Sequence, residues 1–530
     1  MPGRLAVDFG TSNTLMALWD ETSQEGIPLS IPEYSRLIRQ GSSSLPLIPS
    51  VIHYAADGQR WIGSQVFDHQ LYQSPRTFRW MKRYVSLRSP ARLRLDNREI
   101  SHFTAGQDFL AAILAVTRAE YALEDEEIAL TVPVEAYEHY ENWLSGVAEG
   151  AGFHRLRLID EPSAAALGYG AHILPGNVYL IFDFGGGTLH AAVVLIEADQ
   201  AAGSGRRCRV LGKAGKDIGG ASLDQWLFQE VLRRAGRSDM DNDIRRLSNS
   251  LLVECERVKE SLSFAETADL SVMDPDSGRL VTAEFSQGQF EQLLDEHDLF
   301  TEIDRTIRSA LNAARDRGYG EDAIRDVLMV GGSSQIPAVQ SVLRRIFGKE
   351  RVHCDRPLDA VARGAAAFIA GVDFFDHIQH DYAVRYLDPQ AGGYGYRTIV
   401  PRGTPYPTQT SVARLMVKAS YDGQAQLGIA IFEVGEARRA QSAAPVELVF
   451  DPTGAARLMQ ASPAEQERRS YFWMNENHLT FLTADPPARQ GENRFEVEFN
   501  IDANKRLLIT ARDVQTDRLV AADFPVVKLT

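Results

Sequence analysis

Cysteine is scarce in this chain of 530 residues, and long apolar runs and an excess of positive charge are lacking. The cysteines Cys208, Cys255 and Cys354 lie far apart, without the spacing of a disulfide framework or a zinc site, which fits a reducing cytoplasm. No window approaches the roughly 20 apolar residues of a membrane helix, and no signal peptide is visible before the apolar run 5–7, so we expect no membrane partner. The formal net charge of −15 argues against broad electrostatic binding to nucleic acid.

The composition that is present predicts an ordinary globular protein with more than one domain, at 44% hydrophobic and 24% charged residues. Strands alternate with helices up to about residue 372, which is typical of an α/β fold, and short alternating strands follow. We therefore predict an α/β domain at 1–373, a linker at 374–385 and a mostly β domain at 386–530. An Ala-, Arg-, Gln- and Glu-rich stretch at 436–469 predicts a long loop or a short helix. The predicted helices of the first domain span 111–121, 137–151, 223–235, 247–262, 290–317 and 338–347.

One motif occurs twice in the first domain. Residues 5–18 and 178–195 each combine an apolar strand, Asp-Phe-Gly, a few glycine or hydroxyl residues and a second apolar strand. Each copy is predicted to form a β-hairpin with a tight turn. Repetition at this separation suggests two related halves that enclose a cleft.

The turns of the two hairpins could hold a nucleoside triphosphate with Mg²⁺. Glycines let backbone amides approach phosphate oxygens, hydroxyls add donors, and carboxylates hold the water shell of the metal. A single glycine-rich turn more often only closes a hairpin, but two matching copies favour a triphosphate held from two sides. The candidate residues are Asp8, Gly10, Thr11, Ser12 and Asn13 in the first turn and Asp183, Gly185, Gly186, Gly187 and Thr188 in the second.

Five segments together resemble the 70-kilodalton heat-shock chaperones, the DnaK family of the actin-like ATPase superfamily. They are the turns at 8–13 and 182–188, the adenosine motif at 330–337, and two connecting helices at 160–170 and 359–366, in the order of the family. Glu-Pro-Ser-Ala-Ala-Ala together with Val-Gly-Gly-Ser-Ser-Gln-Ile-Pro is typical of the chaperone branch rather than of sugar kinases or actin. The resemblance implies two duplicated lobes around a nucleotide cleft, followed by a β-sandwich-like polypeptide-binding domain. Because few residues follow the last predicted strand, we expect no helical lid.

The resemblance also implies a role for each residue of the site. Lys82, Glu161, Asp183 and Thr188 would be catalytic, with the lysine and Glu161 near the attacking water, a chemistry suited to a cation and a carboxylate. Asp8 and Asp183 would hold Mg²⁺ through water, and K⁺ would be a further cation. Taken singly, Lys82 fits a solvated helix surface and Glu161 a helix-start acid. The implied contacts to ATP or ADP are Gly10, Thr11, Ser12, Asn13, Gly185, Gly186, Gly187, Gly219, Gly220, Glu256, Lys259, Ser263, Gly331, Gly332 and Ser333.

Three positions depart from the family pattern. His190 stands where the family usually has an aspartate, the segment 219–224 lacks two acids, and Gln335 replaces an arginine. We expect nucleotide binding to survive these changes and ATP hydrolysis to be slow or altered in its metal dependence. A purely structural role for His190 fits the sequence equally well.

Three functions follow from the sequence. The first is an ATPase that releases unfolded polypeptide clients, with a J-domain co-chaperone and a nucleotide-exchange factor as implied partners. The second is a nucleotide-dependent scaffold that binds one specific protein with little or no hydrolysis. A small-molecule kinase is disfavoured, because nothing resembles an acceptor site and a β domain follows. Alternating apolar residues at 412–417 and 427–431 predict half-buried strands, some of which could line a peptide groove.

Overall fold

The computed structural model describes residues 4–40, 43–123, 127–134, 137–170, 174–198, 206–371, 373–375, 377–378, 380–388, 393–435, 446–460, 470–476, 479–502 and 505–530. Contacts divide the chain into two units. The first unit comprises Met1–Val134, Tyr140–Phe375 and Val446–Met459. The second unit comprises Glu135–His139, Asp376–Pro445 and Gln460–Thr530.

The first unit contains all the described helices and twenty strands that precede residue 376. The helices are α1 (Ser64–Asp68), α2 (Met81–Ser86), α3 (His102–Glu120), α4 (Glu138–Gly150), α5 (Glu161–Gly168), α6 (Gly220–Arg234), α7 (Asn242–Ser261), α8 (Gln287–Glu296), α9 (Leu299–Arg315), α10 (Pro337–Phe347) and α11 (Ala360–Ile369), of which α4 begins in the second unit. The strands are β1 (Leu5–Phe9), β2 (Asn13–Asp20), β3 (Glu25–Pro28), β4 (Arg36–Gln40), β5 (Ser43–Pro49), β6 (Ile52–Tyr54), β7 (Arg60–Ile62), β8 (Thr77–Phe78), β9 (Arg92–Leu95), β10 (Arg98–Ser101), β11 (Glu127–Val132), β12 (Arg155–Asp160), β13 (Val178–Phe184), β14 (Leu189–Ala198), β15 (Arg206–Lys216), β16 (Thr267–Met273), β17 (Leu280–Ser286), β18 (Ile324–Val330), β19 (Val352–His353) and β20 (Asp373–Phe375).

Two sheets that share a topology over five strands form two lobes, and they differ at the outer pair, where β4 is antiparallel to β5 but β20 is parallel to β15. The sheet of the first lobe (residues 4–160) has the order β12-β11-β1-β2-β5-β4, with β3 also paired to β2. The sheet of the second lobe (residues 174–358) has the order β19-β18-β13-β14-β15-β20. In each lobe an antiparallel hairpin, β1–β2 or β13–β14, has a parallel strand on its other side, β11 or β18. The predicted fold class, a duplicated α/β domain followed by a mostly β region, is confirmed.

Helices α5 and α11 cross closely in the core of the first unit. A Cβ at Gly168 would overlap the carbonyl of Ala360, and a Cβ at Gly364 would overlap the carbonyl of Ala164. Only glycine at both positions lets the two backbones approach so closely. Asp160 caps the start of α5, where its carboxylate accepts a hydrogen bond from the backbone N–H of Ser163 at 2.9 Å. This cap fixes the neighbouring Glu161 at the first position of the helix.

One predicted helix is wrong, and five are found. The stretch 290–317 forms two helices, α8 and α9, because Asp298 has a φ of 57°, which the right-handed helix does not allow. Ser286 caps α8 by accepting a hydrogen bond from the backbone of Gln289. The other predicted helices correspond to α3, α4, α6, α7 and α10.

Past Ile369 the described elements are strands. They are β21 (Asp381–Asp388), β22 (Gly393–Val400), β23 (Ala413–Lys418), β24 (Gln424–Ile429), β25 (Ile431–Val434), β26 (Val446–Phe450), β27 (Ala456–Gln460), β28 (Tyr471–Trp473), β29 (Thr480–Ala488), β30 (Asn493–Ile501), β31 (Arg506–Asp513) and β32 (Arg518–Lys528). In the second unit they form the sheets β22-β21-β25-β28, β23-β30-β31-β32 and β24-β29 around one hydrophobic core. The hydroxyl of Tyr382 donates to Glu433 at 2.9 Å and lies 2.8 Å from the hydroxyl of Thr530, which ties the C-terminus to this core.

The two units depart from the predicted domain boundaries. Of the predicted linker 374–385, the first residues lie in β20 at the edge of the second lobe, and the last lie in β21 of the second unit. The prediction of a loop or short helix is wrong for the middle of 436–469, where β26 and β27 pair as a hairpin. Its apolar residues Leu448 and Phe450 alternate as in a half-buried strand and are buried in the first unit. Residues 436–445 and 461–469 lie outside the described residues.

None of the helices that the structure describes combines the length and the apolar composition that crossing a lipid bilayer requires.

Candidate active site

A cavity of about 630 Å³ opens between the two lobes of the first unit. The turns of both Asp-Phe-Gly hairpins, helices α2, α5 and α7, and the loop after β18 contribute to its wall. Of the predicted site residues, all but Gly219 line this cavity. They are Asp8, Gly10, Thr11, Ser12, Asn13, Lys82, Glu161, Asp183, Gly185, Gly186, Gly187, Thr188, Gly220, Glu256, Lys259, Ser263, Gly331, Gly332 and Ser333.

The two hairpin turns face each other across the cavity. A Cβ at Gly186 would lie 2.6 Å from the hydroxyl oxygen of Ser12, and a Cβ at Gly187 would lie 2.5 Å from that of Thr11. A side chain at either glycine would therefore force the hydroxyl side chains of the first turn to shift. The arrangement leaves backbone N–H groups and hydroxyls from both lobes near one space, as an anionic ligand needs.

Gly219 lies behind the second turn rather than on the cavity wall. A Cβ there would overlap the backbone of Gly187. The next residues bind the turn directly, since the N–H of Gly220 donates to Gly185 O at 3.0 Å and that of Ala221 donates to Gly186 O at 2.7 Å. Helix α6 thus supports the turn from its N-terminal end, and Gly219 packs against the backbone of the turn.

Three carboxylates and one ammonium group meet at the inner end of the cavity. Lys82, on α2, forms an ion pair with Glu161 at the start of α5, and both side chains are almost fully buried. Asp8, at the end of β1, accepts a hydrogen bond from Thr131 at 2.7 Å. Asp183 lies at the equivalent position of β13. The cluster therefore has more acidic than basic groups.

The excess of acids shows in the pKa values of the cluster. Burial raises the pKa of Asp183 well above its ordinary value, and the nearby carboxylates of Glu161 and Asp8 raise it further. Burial and Asp8 also raise the pKa of Glu161, against the opposing effect of Lys82. Burial disfavours the ammonium form of Lys82, but Glu161 and Asp8 outweigh it and hold its pKa above the ordinary value. Lys82 is therefore the cation of the cluster.

This donor set fits a hard divalent cation such as Mg²⁺. Carboxylate oxygens are the ligands that Mg²⁺ prefers, and a cation would relieve the repulsion that raises the pKa of Asp183. Asp8 and Asp183 both line the cavity, so either could hold the ion or its water shell. Glu161, Asp183 and His190 can also bring one ligand atom each within 4.8 Å of one another.

His190 lies next to the cluster but outside the cavity wall. It is fully buried on β14, directly opposite Asp183 in the antiparallel register. Its equivalent in the first hairpin is Leu15, opposite Asp8. The substitution noticed in the sequence is therefore in contact range of the acidic cluster.

Helix α7 and the loop after β18 form the outer part of the cavity. Glu256 accepts a hydrogen bond from the hydroxyl of Tyr72 at 2.6 Å, across the cleft from the first lobe. Lys259 donates to the carbonyl of Gly220 at 3.2 Å and pairs with the buried Asp224 at 2.8 Å. Burial raises the pKa of Asp224 to about 7, and Lys259 opposes this shift. The loop is closed by Ser333, which donates to Gly185 O at 2.9 Å.

Sequence reasoning missed part of the cavity wall. Arg36 and Arg39 enter it from β4, and Phe264 enters from the turn after α7. Leu358, before α11, adds an apolar surface. No motif marks these residues; only their position next to motif residues in space brings them to the cavity.

Comparisons with known proteins agree with this geometry. A family model described as Hsp70 protein matches residues 5–444. A chaperone protein HscA homolog from Bordetella petrii is 28% identical over 539 residues, an alignment that covers 97% of this chain and 76% of that protein. A second chaperone protein HscA homolog, from Polynucleobacter asymbioticus, is 26% identical over 537 residues. This alignment covers 96% of the present chain and 76% of that homolog.

Proposed function

The chain belongs to the Hsp70 protein family, and we propose that it is a chaperone that hydrolyses ATP in the cavity of its first unit and releases extended polypeptide from its second unit. The observation that carries the proposal is the cavity itself. Two repeated turns, the Lys82–Glu161 pair and the surface of α7 meet around one space, in the order that the family motifs predict. Membership of the family supports an ATPase with Mg²⁺ as cofactor and with client polypeptides and co-chaperones as partners.

Each residue of the acidic cluster has a physical task in this proposal. The amides and hydroxyls of the two turns hold the phosphate chain of the substrate. Lys82 places its positive charge where negative charge develops, and the carboxylate of Glu161 orients a water molecule and accepts its proton. Mg²⁺, when bound, neutralises phosphate charge, and Asp8 and Asp183 would hold it. His190 gives this cluster one acid fewer than the family pattern, so we propose slow turnover.

The second unit offers edge strands for an extended polypeptide. Strand β23 lies at the edge of its sheet, where unpaired backbone groups can bind a further strand. Leu427 and Ile429 are buried in the core and are therefore not available to a client. Met416 and Phe481 are 41% and 49% exposed and supply apolar contact area.

The release of a fluorescent, extended apolar peptide tests the proposal. We expect MgATP to accelerate release from the unmodified chain, and Lys82→Ala to show whether hydrolysis is needed. Lys349→Ala is the matched control, because Lys349 is an exposed lysine away from the cavity. If the peptide never binds, or if ATP does not change its release rate, a scaffold that binds one specific partner becomes the better account of the protein.

A further inference from the structure

The β26–β27 hairpin is a segment of the first unit that comes from the middle of the second unit in sequence. Val446–Met459 belongs to the first unit, whereas the flanking segments Asp376–Pro445 and Gln460–Thr530 belong to the second. Neither the cavity nor the proposed chemistry uses it. Its contacts therefore need a separate explanation.

On the first lobe, the hairpin fills an aromatic pocket beside α2. Phe450 is 6% exposed, and its ring lies 6.2 Å from Trp80, 6.1 Å from Tyr84 and 6.0 Å from His102, centroid to centroid. The hydroxyl of Tyr84 donates to the carbonyl of Leu448 at 2.7 Å. Trp80 and Tyr84 flank Lys82, so the hairpin rests on the short helix that carries the lysine of the cluster.

A second set of first-lobe contacts comes from the turn of the hairpin. The N–H of Arg94 donates to the carbonyl of Pro452 at 2.9 Å. Gly454 has a φ of 82°, and a Cβ there would overlap the carbonyl of Pro75. The turn is therefore closely fitted to this lobe.

On the second lobe, the same hairpin is held by side chains that pair with its backbone. Gln225 on α6 donates to Val446 O at 2.7 Å and accepts from the N–H of Leu448 at 2.9 Å. Asn249 on α7 donates to Gly454 O at 2.8 Å. The bonds to Leu448 and Gly454 are buried and that to Val446 is partly buried, so their loss leaves unsatisfied polar groups on both sides.

Further bonds join the hairpin to the start of α7. The N–H of Ala456 donates to the hydroxyl of Ser248 at 3.0 Å. Arg245 forms an ion pair with Asp451 at 2.8 Å. Helix α7 also carries Glu256 and Lys259, so the hairpin touches one nucleotide-facing helix in each lobe.

From this geometry we propose that the β26–β27 hairpin is a staple across the nucleotide cleft, which slows the release and entry of nucleotide by holding the two lobes together. Residues of both lobes line the cavity, so parting of the lobes widens the path by which a nucleotide leaves. The direct contacts across the cleft mouth are polar, such as Tyr72 with Glu256 and Gln73 with Ser250. The staple adds a buried aromatic contact and several buried hydrogen bonds. When the lobes part, the contacts of the hairpin with one of the two lobes must break.

The staple rests on the proposed function, because it needs a nucleotide in the cavity. Its test measures association and dissociation of a fluorescent ADP, N-methylanthraniloyl-ADP, with the full chain. We expect Phe450→Ala to raise the dissociation rate about tenfold, because truncating a buried phenylalanine removes more than the roughly 1.4 kcal/mol that tenfold represents. The association rate rises as well, because the same opening admits the nucleotide.

A second variant approaches the staple from the other lobe. Gln225→Ala removes both hydrogen bonds to the hairpin backbone, and we expect about tenfold faster release, since tenfold represents roughly 1.4 kcal/mol and lies within the net contribution of two such bonds. If both residues act through one staple, the effects of the two substitutions are not additive. Once the hairpin has detached, the double variant releases nucleotide no faster than Phe450→Ala alone. Phe524→Ala, at a half-exposed phenylalanine of the second unit, is the matched control and leaves the rates unchanged.

The outcomes separate the staple from the nucleotide site. An unmodified chain that does not bind the fluorescent ADP overturns the proposed function and the staple together. Binding with an unchanged release rate in both variants overturns the staple alone. Faster release without faster association means damage to the nucleotide contacts and also overturns it. Circular dichroism and thermal unfolding identify a variant that fails to fold, in which case the other variant decides.

Discussion

The two Asp-Phe-Gly hairpins of the first unit share a backbone design but differ in what surrounds the aspartate. Asp8 pairs with Leu15 in the register of β1–β2, and Asp183 pairs with His190 in the register of β13–β14. Asp8 is held by the hydroxyl of Thr131, whereas Asp183 faces the carboxylates of Glu161 and Asp8. Duplication has therefore conserved the geometry of the turn while the electrostatics of the two copies diverged.

The aspartate of the second hairpin, Asp183, is therefore the one exposed to repulsion from the neighbouring carboxylates of Glu161 and Asp8. In a buried cluster of acids, each further negative charge costs more than in water, because the effective dielectric constant is lower. Because His190 stands opposite Asp183, no further carboxylate adds to that cost at this position. The same replacement removes a charge that could bind the cation, which links stability and turnover at one position.

The largest effect is expected from the cation that serves both hairpins. Lys82→Ala should lower ATP turnover about 10²- to 10³-fold, the usual loss when one preorganised charge-stabilising donor is removed. Because the variant leaves Glu161 buried without its ion partner, it should also lower stability. Single-turnover hydrolysis and thermal unfolding measure the two losses separately.

A double variant separates chemistry from folding at the same pair. Lys82→Met with Glu161→Gln removes both buried charges and should regain stability, yet hydrolysis should stay at the level of Lys82→Ala. Recovered turnover in the double variant would contradict a catalytic role for the lysine. Lys349→Ala again serves as the control with an exposed lysine.

The two aspartates should respond unequally to the same substitution. Asp183→Asn removes an acid whose pKa burial, and then the neighbouring carboxylates, raise well above its ordinary value, so we expect the nucleotide-free protein to gain about 1 kcal/mol of stability. Its affinity for nucleotide with Mg²⁺ should fall about tenfold, since tenfold corresponds to roughly 1.4 kcal/mol of lost cation binding. Asp8→Asn is the matched comparison and should gain less stability, because the Thr131 hydroxyl already stabilises that carboxylate. Thermal unfolding with and without MgADP checks both, and a lower midpoint for nucleotide-free Asp183→Asn would contradict the account.

Exchanging the residues opposite the aspartates tests the comparison directly. His190→Asp restores an acid beside Asp183, and we expect turnover to rise a few-fold, the effect of roughly 1 kcal/mol on the barrier. The same variant should be less stable without nucleotide, because a further carboxylate joins the buried cluster. His190→Leu copies the pair of the first hairpin and should turn over no faster than the unmodified protein. Equal rates for all three proteins in steady-state hydrolysis would leave His190 as a structural residue.

Much of the site was predictable from the sequence, because its residues lie in short motifs with local geometry. Both turns, Lys82 and Glu161 lie on the cavity, and Gly219 misses it only because the backbone of Gly187 lies in between. Arg36 was not predictable, since it reaches the cavity from a strand edge without a motif.

The fold was predictable where the hydrophobic pattern of the sequence is long and regular. The prediction failed where that pattern is short. The two lobes follow from the duplicated hairpins, whose strands are continuous apolar runs. The helix break at Asp298 depends on a single residue with positive φ, which no periodic pattern marks. The β26–β27 hairpin has too few apolar residues to form a core of its own and is buried only by tertiary contacts with the first unit.

A second buried histidine shows what such a residue costs in stability away from the acidic cluster. His102 is packed among aromatic rings, including Tyr84 at 4.2 Å and Phe78 at 5.2 Å, and burial holds its pKa at about 3. Between the ordinary value of 6.5 and this value, the unfolded chain binds a proton that the folded chain does not. Stability from this group is thus fully present above about pH 6.5 and is lost as the pH falls, by up to about 1.4 kcal/mol per pH unit.

His102→Gln should flatten this loss, so that the unmodified protein loses about 2 kcal/mol more than the variant between pH 7 and pH 5. His154→Gln is the control, because His154 is exposed and should leave the pH dependence unchanged. Urea unfolding at a series of pH values measures the difference. An acid dependence as steep in His102→Gln as in the unmodified protein would mean that the buried imidazole of His102 does not cause the loss.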